Sequence, residues 1–263
     1  MKRILTALVL TPFFFYSVVF SPDWFFLGSL AAVGLFCLYE YLGIAARHLP
    51  ELDRDPRRSP VLYLAGLFLL VLPQSEGLYL TLFALLVWVL SLRSRNLAHI
   101  LPLAAMAVFG VIYIFGAWRC GVLLRAMNPW WMLFAVAINW TGDTFAYYFG
   151  KSFGRHKLAP LLSPSKSWEG TLASLAGTAV IGYLFLHWKF PQVAPLQAVL
   201  LCLAANIAGQ IGDLCESSIK RGAGVKDSGS LLPGHGGWLD RVDSSLFSVP
   251  VVYWLLQQRW ILP

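Results

Sequence analysis

GDLCESSIKRGAGVKDSGSLLPGHGGWLDRVD, residues 212–243, is a dense polar stretch in an apolar chain. From Asp213 to Asp243 it gathers five carboxylates (Asp213, Glu216, Asp227, Asp240, Asp243) and four cations (Lys220, Arg221, Lys226, Arg241). Six glycines, at 222, 224, 229, 234, 236 and 237, loosen its middle. Apolar runs flank it at 195–214 and 245–260. Charge and glycine set between two such runs read as a site where helices meet a membrane surface, not as a core element.

The surrounding composition decides the fold class. The 263 residues are 58% hydrophobic and 13% charged, whereas a soluble domain carries roughly 25% charged residues. The chain therefore reads as an all-α polytopic integral membrane protein. The net charge of +7 comes from basic residues in short loops between apolar runs. That pattern excludes a nucleic-acid binder and fits anionic lipid headgroups and acidic substrates. Cys37, Cys120, Cys202 and Cys215 have no metal-ligand spacing and read as inert packing thiols. Met1-Lys2-Arg3 before an apolar run mimics a signal peptide, but no small-x-small cleavage site follows at Phe20–Asp23, so the first span is expected to stay.

Membrane helices need about 20 apolar residues. Segments 4–20, 24–45, 60–73, 77–92, 97–118, 130–149, 168–188, 195–214 and 245–260 qualify, giving about nine transmembrane helices. The third, fourth and ninth are short, and 60–73 also suits a re-entrant segment. With the N-terminus cytoplasmic, 16 of the 20 Lys and Arg residues fall on the cytoplasmic side, which supports both count and orientation. The segment 119–129, with Arg119 and Arg125, fits least well. Residues 1–125 read as transmembrane scaffold, nearly free of charge within their spans except for Glu40. Residues 126–263 read as the catalytic region, with cytoplasmic loops 150–167 and 215–244.

Three polar groups stand out. Asp143, beside Asn139, Thr141 and Thr144, either pairs two helices through a basic partner or lines a polar cleft. In 150–170, Ser165 or Ser167 can cap the next helix and Glu169 suits its dipole. That loop is either a positive-inside loop or also a phosphate site built from Lys166, the serine hydroxyls and a helix N-terminus. In the opening stretch, a helix continuing past Asp213 places Asp213, Glu216, Ser217 and Lys220 on one face. Asp240, Asp243 and Ser244 repeat that spacing before the last span. Oxygen-only clusters suit Mg²⁺, and no His/Cys pattern argues for zinc. Pro233-Gly234-His235-Gly236-Gly237 lets backbone approach a ligand, while His235 donates to phosphate, carries a proton or only shapes the turn.

These residues resemble the signature of the phosphatidate cytidylyltransferases, or CDP-diacylglycerol synthases, of bacterial type. The resemblance rests on Ser217-Ser218-Ile219-Lys220-Arg221, Lys226-Asp227, Pro233-Gly234-His235-Gly236-Gly237 and Asp240-Arg241-Val242-Asp243. Upstream, Gly142-Asp143-Thr144, Ala146-Tyr147, Gly150 and Ser163-Pro164-Ser165-Lys166-Ser167-Trp168-Glu169-Gly170 match as well. It is sharp over about 140–245 and limited to hydropathy over 1–125. Trp238 departs from the usual aliphatic residue or Phe. The resemblance implies that CTP and phosphatidate give CDP-diacylglycerol and pyrophosphate, in a multi-pass bacterial inner-membrane enzyme, often a homodimer, surrounded by membrane lipids. It implies Mg²⁺, with a monovalent ion such as K⁺ as second metal, and Asp213, Asp240 and Asp243 as metal ligands.

The chemistry adds roles. The phosphate of phosphatidate is already an anion, so positioning and charge neutralisation dominate. Catalytic candidates are Asp213, Lys220, Arg221, Lys226, Asp227, His235, Asp240, Arg241 and Asp243. Substrate-binding candidates are Asp143, Ser165, Lys166, Ser167, Glu169, Ser217, Gly236 and Gly237. The nearest rival is a CTP-dependent polyprenol kinase. An ion-coupled transporter using Asp143 and Asp213 is weaker, since no inverted repeat is evident.

Overall fold

The computed structural model describes residues 2–49, 52, 55–72, 76–232, 234 and 236–258. The chain divides into two compact units. The first takes residues up to Phe13, Ser21–Arg119 and Ile219–Arg241; the second takes Phe14–Phe20, Cys120–Ser218 and the chain from Val242 on.

Helix α1 (Lys2–Val19), in the first unit as far as Phe13, precedes α2 (Asp23–Ala46), whose first turn holds Asp23 at the positive end of the helix dipole. Pro60 starts α3 (Pro60–Val71), where its missing N–H costs nothing, and α4 (Glu76–Ser91) follows. The Asn96 side chain accepts from the Ala98 N–H and caps a short 3₁₀ turn into α5 (Ile100–Val111). A π turn over Ile112–Gly116 joins α5 to α6 (Ala117–Met127).

Glycines let these helices close on one another. Phe115, on the π turn, is fully buried between Gly34 of α2 and Gly66 of α3. A Cβ on Gly34 would stand 2.7 Å from the Phe115 ring, and one on Gly66 would clash with it outright. Small residues at apolar helix interfaces serve this purpose where lipid removes the hydrophobic drive for association. Arg119 donates to the Leu70 carbonyl at 3.2 Å, satisfying one of the open carbonyls that end α3.

The second unit is built on α7 (Pro129–Phe153), started by the Asn128 side chain accepting from the Trp130 N–H at 3.0 Å. A short antiparallel hairpin, β1 (Lys157–Ala159) and β2 (Ser163–Ser167), leads to α8 (Trp168–Lys189). Then comes α9 (Pro195–Gly222), which passes into the first unit at Ile219; α10 (Leu239–Val242) lies in the first unit up to Arg241, and α11 (Ser245–Gln257) is again in the second. Helices α7 and α8 pack along Gly150 against Gly170 and Phe145 against Gly177. Polar groups pair inside the unit: Asn139 of α7 donates to Ser248 Oγ of α11 at 2.8 Å, and within α9 Gln210 donates to Asn206 Oδ1 at 2.6 Å. Ser174 Oγ donates to the same Asn206 oxygen at 3.2 Å. At the far end of α8, Lys189 lies 3.5 and 3.6 Å from the ring centres of Trp130 and Trp188, and Trp131 stacks on Phe190. Such a cluster suits a membrane–water interface.

Each apolar segment expected from sequence falls on a helix. Among the described residues, four helices are long and apolar enough to cross a membrane: Asp23–Ala46, Leu97–Met127, Trp168–Lys189 and Pro195–Gly222. Shorter apolar helices cover Leu8–Val19, Pro60–Val71 and Gly77–Ser91. With 12 residues, α3 rises only about 18 Å, short of a bilayer core of roughly 30 Å. The hairpin was not expected. Pro160 and Pro164 cannot supply the N–H groups a helix needs, so the chain pairs Lys157 with Ser167 instead.

Candidate active site

The polar stretch begins as helix. Asp213, Glu216, Ser217 and Lys220 all lie on α9, which runs on to Gly222, so the expected common face exists. It is the buried face: Glu216 is 1% exposed and Lys220 7%.

In the first unit the end of α9 meets a looped-back segment. Lys220 Nζ donates to Asp240 Oδ1 at 2.6 Å, with the two side chains 9% and 8% exposed. Asp240 also accepts from the Ser228 N–H at 2.9 Å and the Gly237 N–H at 2.8 Å. Burial pushes the Asp240 carboxyl up, but the Lys220 ammonium and these amides outweigh it and hold the group below the usual aspartate range. Gly236 has φ +79° and lies so close that a Cβ would stand 2.7 Å from Asp240 Oδ2, so only glycine fits. The Leu232 N–H donates to the Gly236 carbonyl at 3.0 Å and closes the glycine-rich turn. Arg221 donates to the Val225 carbonyl at 3.1 Å and shapes the exit from α9. Lys226, Asp227 and Arg241 are exposed, and none forms an ion pair among the described residues. Their charge faces solvent. His235 lies outside the described residues.

A residue not expected at the site completes this arrangement. Glu40 of α2 is 4% exposed, and its Oε2 accepts from Ser228 Oγ and from the Leu239 N–H, both at 2.9 Å. The signal was present in the sequence as the lone acid within the first spans. Trp238, the departure from the family pattern, stacks on Phe36 of the same helix at 5.7 Å between ring centres.

In the second unit, Lys166 of β2 reaches Asp213 Oδ2 at 2.6 Å, and Ser217 donates to Asp213 Oδ1 at 3.3 Å. Ser167 is the N-cap of α8: its Oγ accepts from the Gly170 N–H at 3.2 Å. Glu169 accepts from the N–H groups of Arg155 and His156, and its Oε1 lies 2.6 Å from His156 Nδ1. Glu169 thus fixes the hairpin to the start of α8, with His156 as a partner that sequence spacing did not reveal. Ser165 stays exposed, its Oγ 3.5 Å from that of Ser163. Asp143 is exposed on α7. The backbone beside Asp213 abuts Asp243: a Cβ on Gly212 would stand 2.8 Å from the Asp243 carbonyl oxygen. Asp243 Oδ1 accepts from the Ser244 N–H at 2.7 Å.

The donor set is all oxygen, which fits a hard divalent cation. Asp240 in the first unit and Asp213 in the second each hold a lysine ammonium at 2.6 Å, in the kind of position a cation takes. Among the described residues no three His, Cys, Asp or Glu side chains are gathered closely enough to form a metal centre by themselves. Water and phosphate oxygens would have to complete the coordination shell, as is usual for Mg²⁺.

Comparison with known proteins points the same way. The cytidylyltransferase family model matches residues 1–258. A phosphatidate cytidylyltransferase of Staphylococcus saprophyticus is 34% identical over 201 residues, covering 73% of this chain and 77% of that protein. Its Staphylococcus aureus counterpart is 36% identical over the same shares. An uncharacterized protein of Escherichia coli K12, YnbB, is 34% identical over 253 residues, covering 92% of this chain and 83% of its own. With its motif residues folded into two carboxylate–lysine pairs and its whole length matched, this chain belongs to the cytidylyltransferase family.

Proposed function

We propose that this protein transfers the cytidylyl group of CTP to phosphatidate, releasing pyrophosphate and leaving CDP-diacylglycerol for phospholipid synthesis. The observation that carries the reading is the pair of lysine–carboxylate contacts, Lys166–Asp213 and Lys220–Asp240, on motif residues of a family named for cytidylyl transfer. The name of the staphylococcal relatives, phosphatidate cytidylyltransferase, suggests the lipid substrate.

The chain's residues suit that task. The phosphate of phosphatidate attacks the α-phosphorus of CTP, a P–O bond forms, and the bond to pyrophosphate breaks. No strong base is needed, so the work lies in bringing two polyanions together in line. Lys226 and Arg241, exposed and without an ion pair among the described residues, bind phosphate oxygens. Lys166 and Lys220 exchange their carboxylates for phosphate as substrate arrives. Asp213, Asp240 and Asp243 would hold Mg²⁺, with a monovalent ion such as K⁺ as a second metal. Mg²⁺ when bound supplies charge neutralisation and Lewis-acid polarisation of the phosphates. The glycine-rich turn brings backbone N–H groups to the nucleotide, and Asp143, Ser165 and Ser217 border the site.

We further propose about nine membrane crossings with the N-terminus cytoplasmic in a bacterial inner membrane, and a homodimer. In this topology, CTP enters from the cytoplasm and phosphatidate from the bilayer. Residues 1–125 would serve mainly as scaffold and 126–263 as the catalytic region. Purified protein supplied with radiolabelled CTP and phosphatidate tests the activity. Label in a CDP-lipid supports it; CDP released with a phosphorylated lipid alcohol would favour a kinase instead.

A further inference from the structure

Carboxylates are expensive inside apolar helices, and those that persist mark function or an obligatory pairing. Glu40 is such a group: it sits on α2, 4% exposed, among spans otherwise nearly free of charge. Its partners lie about 190 residues away on the glycine-rich segment. Ser228 Oγ and the Leu239 N–H both donate to Oε2 at 2.9 Å. Two glycines make room for the carboxyl. A Cβ on Gly229 would stand 2.5 Å from Oε1, and one on Gly237 would overlap both Oε2 and Ser228 Oγ. Oε1 has no hydrogen-bond partner among the described residues, so the group is retained despite an unsatisfied oxygen.

Ser228 links this carboxyl to the site. Its N–H donates to Asp240, and its Oγ, bonded to Glu40, also accepts from the Asp240 N–H at 3.3 Å. Asp240 in turn holds Lys220. Glu40 and Asp240 thus grip the segment from Ser228 to Leu239 from two sides, one from α2 and one from α10.

We propose that Glu40 is a positioning residue for the transfer reaction: acting as a buried hydrogen-bond acceptor, it fixes the glycine-rich segment so that Asp240 and Lys220 stand in register for the nucleotide. The proposal rests on the cytidylyl-transfer reading, and it assigns Glu40 no contact with substrate.

The test uses full-length purified protein in lipid nanodiscs. Glu40→Leu removes the acceptor while keeping side-chain bulk, in a helix where an apolar residue favours insertion. Glu40→Gln keeps an amide oxygen able to accept both bonds. Glu40→Leu is expected to lower kcat/KM for CTP by about tenfold or more, because Ser228 and the Leu239 N–H lose their acceptor. The amides of Gly229–Gly237 should exchange with deuterium faster, while α2 and α9 keep wild-type protection. Glu40→Gln should recover most of both effects, and adding Ser228→Ala to Glu40→Leu should cost little more. Wild-type kcat/KM and loop protection in Glu40→Leu would overturn the proposal, as would a Glu40→Gln variant as impaired as Glu40→Leu. Failure of the wild type itself to form a CDP-lipid would sink the activity reading instead, with the exchange measurement still reporting on the anchor.

Discussion

Asp240 concentrates the account at the residue scale. It accepts from one ammonium and two amides, so its charge rather than its volume matters. Asp240→Asn keeps the shape and is expected to lower kcat/KM on the order of a hundredfold, about 2.7 kcal/mol, with expression and membrane insertion unchanged. Near-wild-type turnover would remove Asp240 from the metal set. Lys226→Ala should lose far more activity than Arg57→Ala, since Arg57 is already paired with Asp55 at 2.8 Å and lies outside the motif. Equal losses would mean that general surface charge matters. The lowered Asp240 pKa also has a sign for pH. A carboxyl depressed on folding contributes stability that is fully present above its unfolded value, near about 3.9, and lost as pH falls through the lower folded value. Deuterium exchange of Gly229–Gly237 should therefore stay slow at about pH 5 and rise only below about pH 4. A rise already at pH 6 would contradict the pairing.

At the scale of elements, what was legible depended on how far along the chain the cause lay. The nine apolar segments were readable because hydropathy is local, and the serines before Trp168-Glu169-Gly170 narrowed the cap to Ser165 or Ser167, of which Ser167 takes the place. The face Asp213, Glu216, Ser217, Lys220 was readable from helical spacing alone. Glu40 could be noticed but not placed, because its partners Ser228 and Leu239 come from the other end of the sequence. The two lysine–carboxylate pairs were hidden for the same reason, and the hairpin 157–167 lies within a stretch that reads from sequence only as a loop. Phe115 seated between Gly34 and Gly66 is also a tertiary fact with no local trace. Two predictions belong here. Ser167→Ala should cost about 1 kcal/mol of stability through the lost cap, read as a lower unfolding temperature in detergent. Gly236→Ala should leave folding of the helices intact but cut activity severely, since a methyl group at φ +79° would press on Asp240. A fully active Gly236→Ala variant would show that the turn is not held as described.

For the molecule as a whole, an apolar frame holds two close lysine–carboxylate pairs, Lys166–Asp213 and Lys220–Asp240, and both are made by candidate site residues read from the sequence. The first unit contains the Lys220–Asp240 pair and the glycine-rich turn, and the second contains Lys166–Asp213 and the capped start of α8. Residues 1–125, read as scaffold, contribute at least Glu40 to the setting of that turn. On the proposed reading, chelation of divalent cations should abolish turnover and leave the helices folded, because the metal would act on bound phosphates and not on the core. The most direct measurement is product formation by purified protein given CTP, phosphatidate and Mg²⁺. CDP-diacylglycerol and pyrophosphate in equal amounts, lost on chelation and in Asp240→Asn, are the predicted result. Cleavage of CTP to CDP with a phosphorylated lipid alcohol, or no CTP-dependent product at all, would contradict it.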